Sequence, residues 1–479
     1  HRDLHSFPTR RSSDLIFVAL LCLLMFQTVF SEKLTILYLS DTHSNLTPGG
    51  SRDSELNATK GGIARLATVV GMEKAENPSA LFFHGGDFSI GDLLYCKYFG
   101  VPELQILKSL GCDAIELGNH EFDLTPAGLL QVLQAGYEGG AITTLCANAD
   151  FTDSAVAELK SFIQPFNILM RNGKKIGIFG IVTPSTVELS NPSPVRIFDE
   201  TTTLETAVLM VDTLKKQGCD VIILLSHLGY LYDYTIAGMI PGIDLILGAH
   251  DHFTFPEAVE VENPGGTITR IIQAGAFMEN VAKIVLDIDG NGTKLDSYTL
   301  IPLDSKIPEE PTTKAVIEKL KLNIEETYGQ PFFSQKIAEC EKDLEEFAAN
   351  AISEGSHDTE VGNLVTDAFL AWGKTDIAIT ATGFTSQKLY KGPIVAADIY
   401  RMMGYGFNEE NGLGFRMVKF KIKGMDLIKG ISFGLSQLFY SEDFLILAAG
   451  MDYKYEMFSN NFEMEGNFAS FLFSAHFQK

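Results

Sequence analysis

Tryptophan, cysteine and positive charge are all scarce in this sequence, and each shortage excludes something. One tryptophan and 6 cysteines are spread over 479 residues. Beyond the N-terminal segment the cysteines are Cys96, Cys112, Cys146, Cys219 and Cys340, odd in number and never in C-x-x-C spacing. That excludes a zinc-finger or disulfide-framework fold, while one or two bridges stay compatible with an oxidising compartment. Lys and Arg number 37 against 61 Asp and Glu, for a formal net charge of −24. Nucleic acid is held chiefly through Lys and Arg on phosphates, so a nucleic acid polymer is excluded as a partner. Any phosphate handled here needs a local source of positive charge, and a bound dication supplies one.

Long apolar runs are short in supply too. Leu15 to Phe30 is the main one, shorter than a comfortable membrane span, and Val29-Phe30-Ser31 places suitable residues for cleavage before Glu32. A signal peptide and a secreted or periplasmic protein are expected, with an uncleaved membrane anchor as the alternative. His1 to Asp14 contain no methionine and match nothing downstream, so they stand outside the fold reading. There is no internal repeat and no low-complexity tract.

What is present is a rhythm of strand, loop and helix in a chain too long for one ordinary core. Leu34 to Leu39 reads as a buried strand ending at Ser40-Asp41-Thr42-His43, and Gly61 to Val70 shows helical spacing. Ala80 to Phe83 delivers Gly85-Gly86-Asp87, Pro102 to Leu110 reads as a helix, and Ala114 to Leu117 leads into Gly118-Asn119-His120-Glu121-Phe122-Asp123. Ile142 to Cys146, Ile176 to Ile181 and Val221 to Leu225 are further strands, the last ending at Ser226-His227. Ile243 to Leu247 ends at Gly248-Ala249-His250-Asp251-His252. Ile268 to Gln273 and Val281 to Asp287 alternate, which suits a mixed or partly antiparallel sheet. A charged stretch with a helix from Thr313 to Tyr328 then reads as a linker. Beyond it, a helix opening at Val361 and strands at Ile377–Thr380 and Met417–Ile422 belong to a second domain.

The residues at successive strand ends are Asp41 with His43, then Asp87, Asn119 with His120, His227, and His250 with His252. Each has an ordinary reading alone: Asp-x-His and Gly-Asp are commonly turns, and a histidine after an apolar strand is commonly core. Together they form a set of carboxylates, imidazoles and an amide without thiolate, which favours zinc, manganese or similar divalent metals. The set is too large for one ion and fits two. A shared carboxylate such as Asp87 suits phosphoryl displacement between metals ~3.5–4 Å apart.

This ordered set resembles the calcineurin-like metallophosphoesterase superfamily, with its D-x-H, G-D, G-N-H-[DE], H and G-H-x-H blocks, and within it the 5′-nucleotidase branch. The resemblance implies an α/β fold, a four-layer α/β/β/α metallophosphoesterase domain followed by a smaller α+β substrate-binding domain. The expected division is 1–31 lead and signal peptide, 32–302 metallophosphoesterase domain, 303–332 linker with its helix, and 333–479 substrate-binding domain, incomplete at its C-terminus. It further implies that Asp41, His43, Asp87 and His252 hold one metal, and that Asp87, Asn119, His227 and His250 hold the other. His252 stands where the best-known nucleotidases carry an amide. His120 and Asp123 match the family's pair beside the scissile phosphate, where an imidazole oriented by a carboxylate stabilises developing charge or protonates the leaving oxygen. Glu121 and Asp92 are read as outer supports.

In the second domain the resemblance implies arginines for the substrate phosphate and aromatic rings for the base. Ser386 stands where the family's loop carries arginine, so Arg401 and Arg416 are the substitutes, with Tyr405 or Phe407 as stacking aromatic. The phenylalanine-rich tail from Asn461 to Lys479 departs from the family pattern. The expected activity is hydrolysis of nucleoside 5′-monophosphates by water activated at the two metals. Alternatives are UDP-sugar or nucleotide pyrophosphate hydrolysis, 2′,3′-cyclic nucleotide hydrolysis, or a catalytically reduced surface-binding module.

Overall fold

The structure is a computed structural model describing residues 32–289, 292–346, 358–408, 410–439, 442–455 and 473–477. The lead and signal-peptide reading falls outside these residues, as does most of the C-terminal tail.

The first part of the chain contains β1 (Glu32–Leu39), the hairpin β2 (Gly49–Arg52) and β3 (Ala58–Lys60), α1 (Ile63–Glu76), β4 (Leu81–His84), α2 (Val101–Ser109), β5 (Ala114–Glu116), α3 (Thr125–Gly136) and β6 (Thr143–Leu145). Next come β7 (Ile163–Gln164), β8 (Phe166–Arg171), β9 (Lys174–Val182), α4 (Glu200–Lys216), β10 (Val221–His227), α5 (Tyr230–Met239) and β11 (Leu245–Gly248). The strands β12 (Val259–Glu262), β13 (Ile268–Ile272), β14 (Asn280–Asp289) and β15 (Gly292–Pro302) complete this part.

They form two mixed sheets, a 7-stranded one in the order β15-β14-β1-β4-β5-β6-β7 and a 6-stranded one in the order β12-β13-β11-β10-β9-β8. The central strands of each run parallel, from β1 to β7 and from β9 through β10 and β11 to β13. Antiparallel pairs lie at the margins, where β14 meets β1 with Leu34 opposite Leu286 and Ile36 opposite Ile284.

The layering follows from the two-residue alternation of a strand. Ile36 and Tyr38 of β1, Ile176 and Ile178 of β9, and Ile223 and Leu225 of β10 share one core between the sheets. Leu37 and Leu39 point the other way, packing with Ile63, Leu66, Leu104 and Leu133 of α1, α2 and α3. Ile222 and Leu224 do the same on the second sheet against Ala207, Val211 and Leu214 of α4 and Ile236 of α5. The result is four layers, helix, sheet, sheet and helix. Strands buried on both faces lose the polar alternation of a one-sided sheet, which is why they read as continuous apolar runs.

The linker helix α6 (Pro311–Tyr328) starts with Glu310 accepting from the Thr312 and Thr313 amides, has proline in its first turn, and ends at Gly329 with φ 64°. After it come β16 (Lys336–Cys340), α7 (Glu360–Gly373), β17 (Ala378–Ala381), β18 (Gly392–Val395), α8 (Ala396–Met402), α9 (Gly424–Ser436), β19 (Ile446–Ala449), β20 (Met451–Tyr455) and β21 (Phe473–Phe477). These make small two-stranded pairings, β16 with β18, β17 with β19, and β20 with β21. The strand expected at Met417–Ile422 is corrected: that stretch is irregular and exposed. Among the described residues no strand pairs with it, and an isolated strand has no independent stability. The five described cysteines are free thiols. Among the described residues, no helix is long and apolar enough to cross a membrane.

Candidate metal centre

The carboxyl ends of β1, β4, β5, β10 and β11 converge along the line where the two sheets meet, and the loops there carry the ligand candidates. Left-handed backbone is costly for residues with a Cβ. Yet Asp41 (φ 48°), His43 (φ 45°), Asp87 (φ 50°), His250 (φ 86°) and His252 (φ 59°) all adopt it. His227 is the last residue of β10, and Asn119 has φ −69°.

Two glycines make the approach possible. A Cβ on Gly86 would stand 2.7 Å from the Gly118 nitrogen and 2.8 Å from His227 Nδ1. One on Gly118 would stand 2.0 Å from Asp87 Oδ1. The Gly-Asp and Gly-Asn-His spacings therefore reflect contact between the two loops.

Two groups form, Asp41 with His43 and His252, and Asp87 with His227 and His250, the ligand atoms of each lying within 4.8 Å of one another. Asp87 Oδ2 lies 3.0 Å from His227 Nε2 and 3.9 Å from His43 Nε2, between the groups. Asp41 Oδ1 is 3.8 Å from His252 Nε2 and 3.9 Å from His227 Nε2. His43 and His252 face each other with Nε2 atoms 3.0 Å apart. One shared proton answers that pair, but it does nothing for Asp41 Oδ2 and Asn119 Oδ1, both buried without a hydrogen-bond partner. Cations answer all of them. The residues present fit divalent metals.

Electrostatics agree at three of the four imidazoles, while at His227 burial is outweighed by Asp87 and Asp41, which raise it to about 10. Burial and the neighbouring His252 hold His43 well below the usual histidine range, burial and His227 bring His250 down to about 3, and burial brings His252 to about 4. Neutral imidazoles are the ligand form. Burial pushes Asp41 up to about 7, partly offset by His227. A buried carboxylate of this kind is stabilised as an anion by a cation beside it.

The surrounding residues aim the ligands. His227 Nδ1 donates to the Gly85 carbonyl at 2.8 Å, leaving Nε2 for the centre. Glu121 accepts from the amides of Asp87 (2.9 Å), Gly118 (2.7 Å) and Ser89 (3.2 Å) and from the Ser89 hydroxyl (2.9 Å). His84 receives the Gly86 amide on Nδ1 at 3.2 Å and meets Thr42 Oγ1 with Nε2 at 3.0 Å, joining the loops of Asp41 and Asp87.

Beside the centre, His120 Nδ1 lies 2.8 Å from Asp123 Oδ2, and Asp123 Oδ1 accepts from Ser190 Oγ at 2.6 Å. Burial pulls the imidazolium down, but Asp123 and Asp87 outweigh it and raise His120 to about 9. Its ring centroid is 5.4 Å from that of His43.

Sequence comparison places this geometry. Residues 34–253 match the calcineurin-like phosphoesterases, and residues 336–461 match the 5′-nucleotidase C-terminal domain. Residues 34–253 form a calcineurin-like phosphoesterase domain. The chain is 30% identical over 357 residues to the 5′-nucleotidase of Bos taurus, a match spanning 71% of this chain and 60% of that protein. It is equally 30% identical to the snake venom 5′-nucleotidase of Naja atra, across 71% of this chain and 64% of that one. The chain thus spans under two thirds of these relatives. The crystal structure of a 5′-nucleotidase precursor from Thermus thermophilus superposes with TM-score 0.73 at 27% identity, covering 88% of this chain and 82% of that one.

The second domain brings one of its four expected substrate residues to the centre. Tyr405 stacks on His120 with centroids 4.9 Å apart and planes at 11°, and meets His43 edge-on at 5.4 Å. The other three lie elsewhere. Phe407 packs edge-on against Phe99 at 5.5 Å. Arg416 is exposed and pairs with Glu410 at 2.9 Å. Arg401 is buried, with Nε donating to Asp92 at 2.8 Å and its terminal nitrogens to the Thr47 and Pro48 carbonyls at 3.0 and 3.1 Å. It ties the two domains together. Ser386 is 7% exposed, and its amide donates to the Met402 carbonyl at 2.9 Å.

Sequence reading missed His84, Ser190 and Phe277. Phe277, beside His43 at 5.6 Å and His252 at 5.2 Å, follows β13, so the strand-end rule that selected the ligand candidates applies to it as well. Ser190 had no such signal.

Proposed function

We propose that this chain is a two-metal phosphoesterase that hydrolyses the phosphomonoester of nucleoside 5′-monophosphates. The observation that carries this reading is the pair of adjoining three-residue groups, with Asp87 of one facing His43 of the other and His120 and Asp123 alongside. Asp41, His43, Asp87 and His252 would hold one metal and Asp87, Asn119, His227 and His250 the other. Zinc, manganese or a similar ion there would supply Lewis acidity and a nucleophile near neutral pH.

The chain's own groups do the rest. His120, with Nδ1 committed to Asp123, offers Nε2 to a reacting oxygen and carries positive charge toward the phosphoryl group. Asp123, anchored by Ser190, fixes the ring plane. Tyr405 covers the other face of His120 and narrows access to it. A division at 32–302, 303–332 and 333–479 is supported by the capped helix α6 between the two matched regions. A secreted or periplasmic location is supported by the apolar run Leu15 to Phe30 and by relatives named as venom proteins.

A second reading has its own support. With Arg401 engaged by Asp92 and Arg416 paired in an exposed loop, neither guanidinium stands at the centre. That favours substrates whose phosphate carries less charge, such as UDP-sugars, nucleotide pyrophosphates or 2′,3′-cyclic nucleotides. A hydrolysis screen over these and nucleoside monophosphates, with Mn²⁺, Zn²⁺ and Mg²⁺ and with nucleoside, nucleotide and sugar phosphate products resolved by chromatography, separates the readings. Monophosphates turning over fastest supports the first. Two bound metals without hydrolysis of any of these substrates points to a binding module instead.

A further inference from the structure

Away from the metal centre, the β2–β3 hairpin, α1, α6 and Phe333 enclose a cleft of about 100 Å³. Arg52, Arg65, Lys314 and Lys321 reach its wall, against the acids Glu309 and Glu318. In a chain of net charge −24 this is a local reversal of sign. Three of the four cations already have a carboxylate. Arg52 makes two 2.7 Å bonds to Asp398, Lys314 stands 2.6 Å from Glu309, and Lys321 stands 2.9 Å from Glu318.

Arg65 differs. It is 6% exposed, and among the described residues it forms no ion pair. Nη1 donates to the Gly61 carbonyl and Nη2 to the Ala58 carbonyl, both at 2.9 Å, while Nε has no partner. A guanidinium carries five N–H donors, so most of them are unanswered. Glu309 and Asp304 act on it only from beyond ion-pair distance. A buried charge without a direct counter-charge is destabilising, and an anion in the adjoining cleft relieves it.

We propose that this cleft binds a small tetrahedral oxyanion of the orthophosphate or sulfate class, with Arg65 as its buried counter-charge and Lys314 and Lys321 at its rim. Size and charge both select that class. A cleft of about 100 Å³ has room for one small oxyanion. With Asp398 answering Arg52 and the two glutamates answering the two lysines, Arg65 is the one cation of the lining left for an entering anion. Thr47 lines the same cleft and accepts from Arg401, while Arg52 holds Asp398. The bound anion therefore sits at the joint between the two domains, apart from the metal centre.

The test uses the metal-loaded protein, with selenate soaked into crystals and sulfate titrated by calorimetry. One anomalous selenate peak is expected in the cleft, beside Arg65. The double variant Lys314→Glu/Lys321→Glu should weaken sulfate binding to the cleft at least tenfold and leave phosphate-ester turnover unchanged. Selenate found only at the metal centre, or sulfate affinity equal in both proteins, overturns the proposal. Neither probe is turned over, so the outcome does not depend on the substrate being a nucleotide.

Discussion

Tyr405 of the second domain lies flat on His120 of the first, ring centroids 4.9 Å apart and planes inclined by 11°. The ring that faces the reacting oxygen in our proposal is thus held by Asp123 along its edge and by Tyr405 across its face. Stacked aromatic pairs contribute about 0.5–1.5 kcal/mol beyond their buried area. Tyr405→Ala should lower kcat/KM for nucleoside monophosphates by about three- to tenfold. Tyr405→Phe keeps the stack and should stay near wild type. Steady-state kinetics on both variants checks this, and equal losses in the two would show that the phenolic hydroxyl, not the ring, matters.

Asp87 and His120 separate metal binding from proton chemistry. Asp87 Oδ2 sits between the two ligand groups, so Asp87→Ala should abolish activity with every substrate and reduce metal content at both sites. His120→Ala removes no ligand. It should lower kcat by about 10²–10⁴ while metal content stays close to wild type. Elemental analysis alongside turnover distinguishes the two, and metal loss in His120→Ala would place that residue among the ligands.

The ligand loops were legible in the sequence because of where they stand. Each follows an apolar run, and a strand buried on both faces of a parallel sheet produces such a run. Asp41, Asp87, His227 and His250 were placed by that rule alone, and the glycines before Asp87 and Asn119 mark where the loops touch. The second domain was harder to read. Arg401 has the residue type of a phosphate ligand, and only the fold shows that Asp92 and Thr47 engage it. Phe407 and Tyr405 are two residues apart on one loop, yet one packs on Phe99 and the other on His120. Residue type and spacing do not separate them, because the difference lies in contacts with another domain. The alternating stretch at Met417–Ile422 misled for a related reason: alternation encodes a strand only where a neighbour exists to pair with it.

His84 shows how support for the centre is built one layer out. Its two ring nitrogens join Thr42, between Asp41 and His43, to Gly86, beside Asp87. His84→Phe fills the same space without either bond. The variant should fold, and weaken metal binding by about 10–100-fold, the usual effect of losing such a partner. Competition with a chelator measures the affinity directly. His84→Gln retains a donor and an acceptor and should recover part of it. Wild-type metal affinity in His84→Phe would reduce His84 to a packing residue.

Glu103 makes a prediction about pH that is independent of substrate. It lies on α2, is 1% exposed, and neither carboxyl oxygen has a hydrogen-bond partner. Burial raises its pKa to about 7. The folded protein therefore keeps this proton while the unfolded chain releases it above its ordinary value of about 4.5. The unfolded state binds fewer protons between those two points, so stability falls as pH rises through that window. Once the folded-state group also ionises, the loss levels off at on the order of 3 kcal/mol. Glu103→Gln resembles the neutral acid and cannot ionise. It should match wild type near pH 4 and exceed it by about that amount at pH 8, read from denaturant midpoints. Equal stability at pH 8 would mean that Glu103 ionises in the folded state with a cation supplied to it.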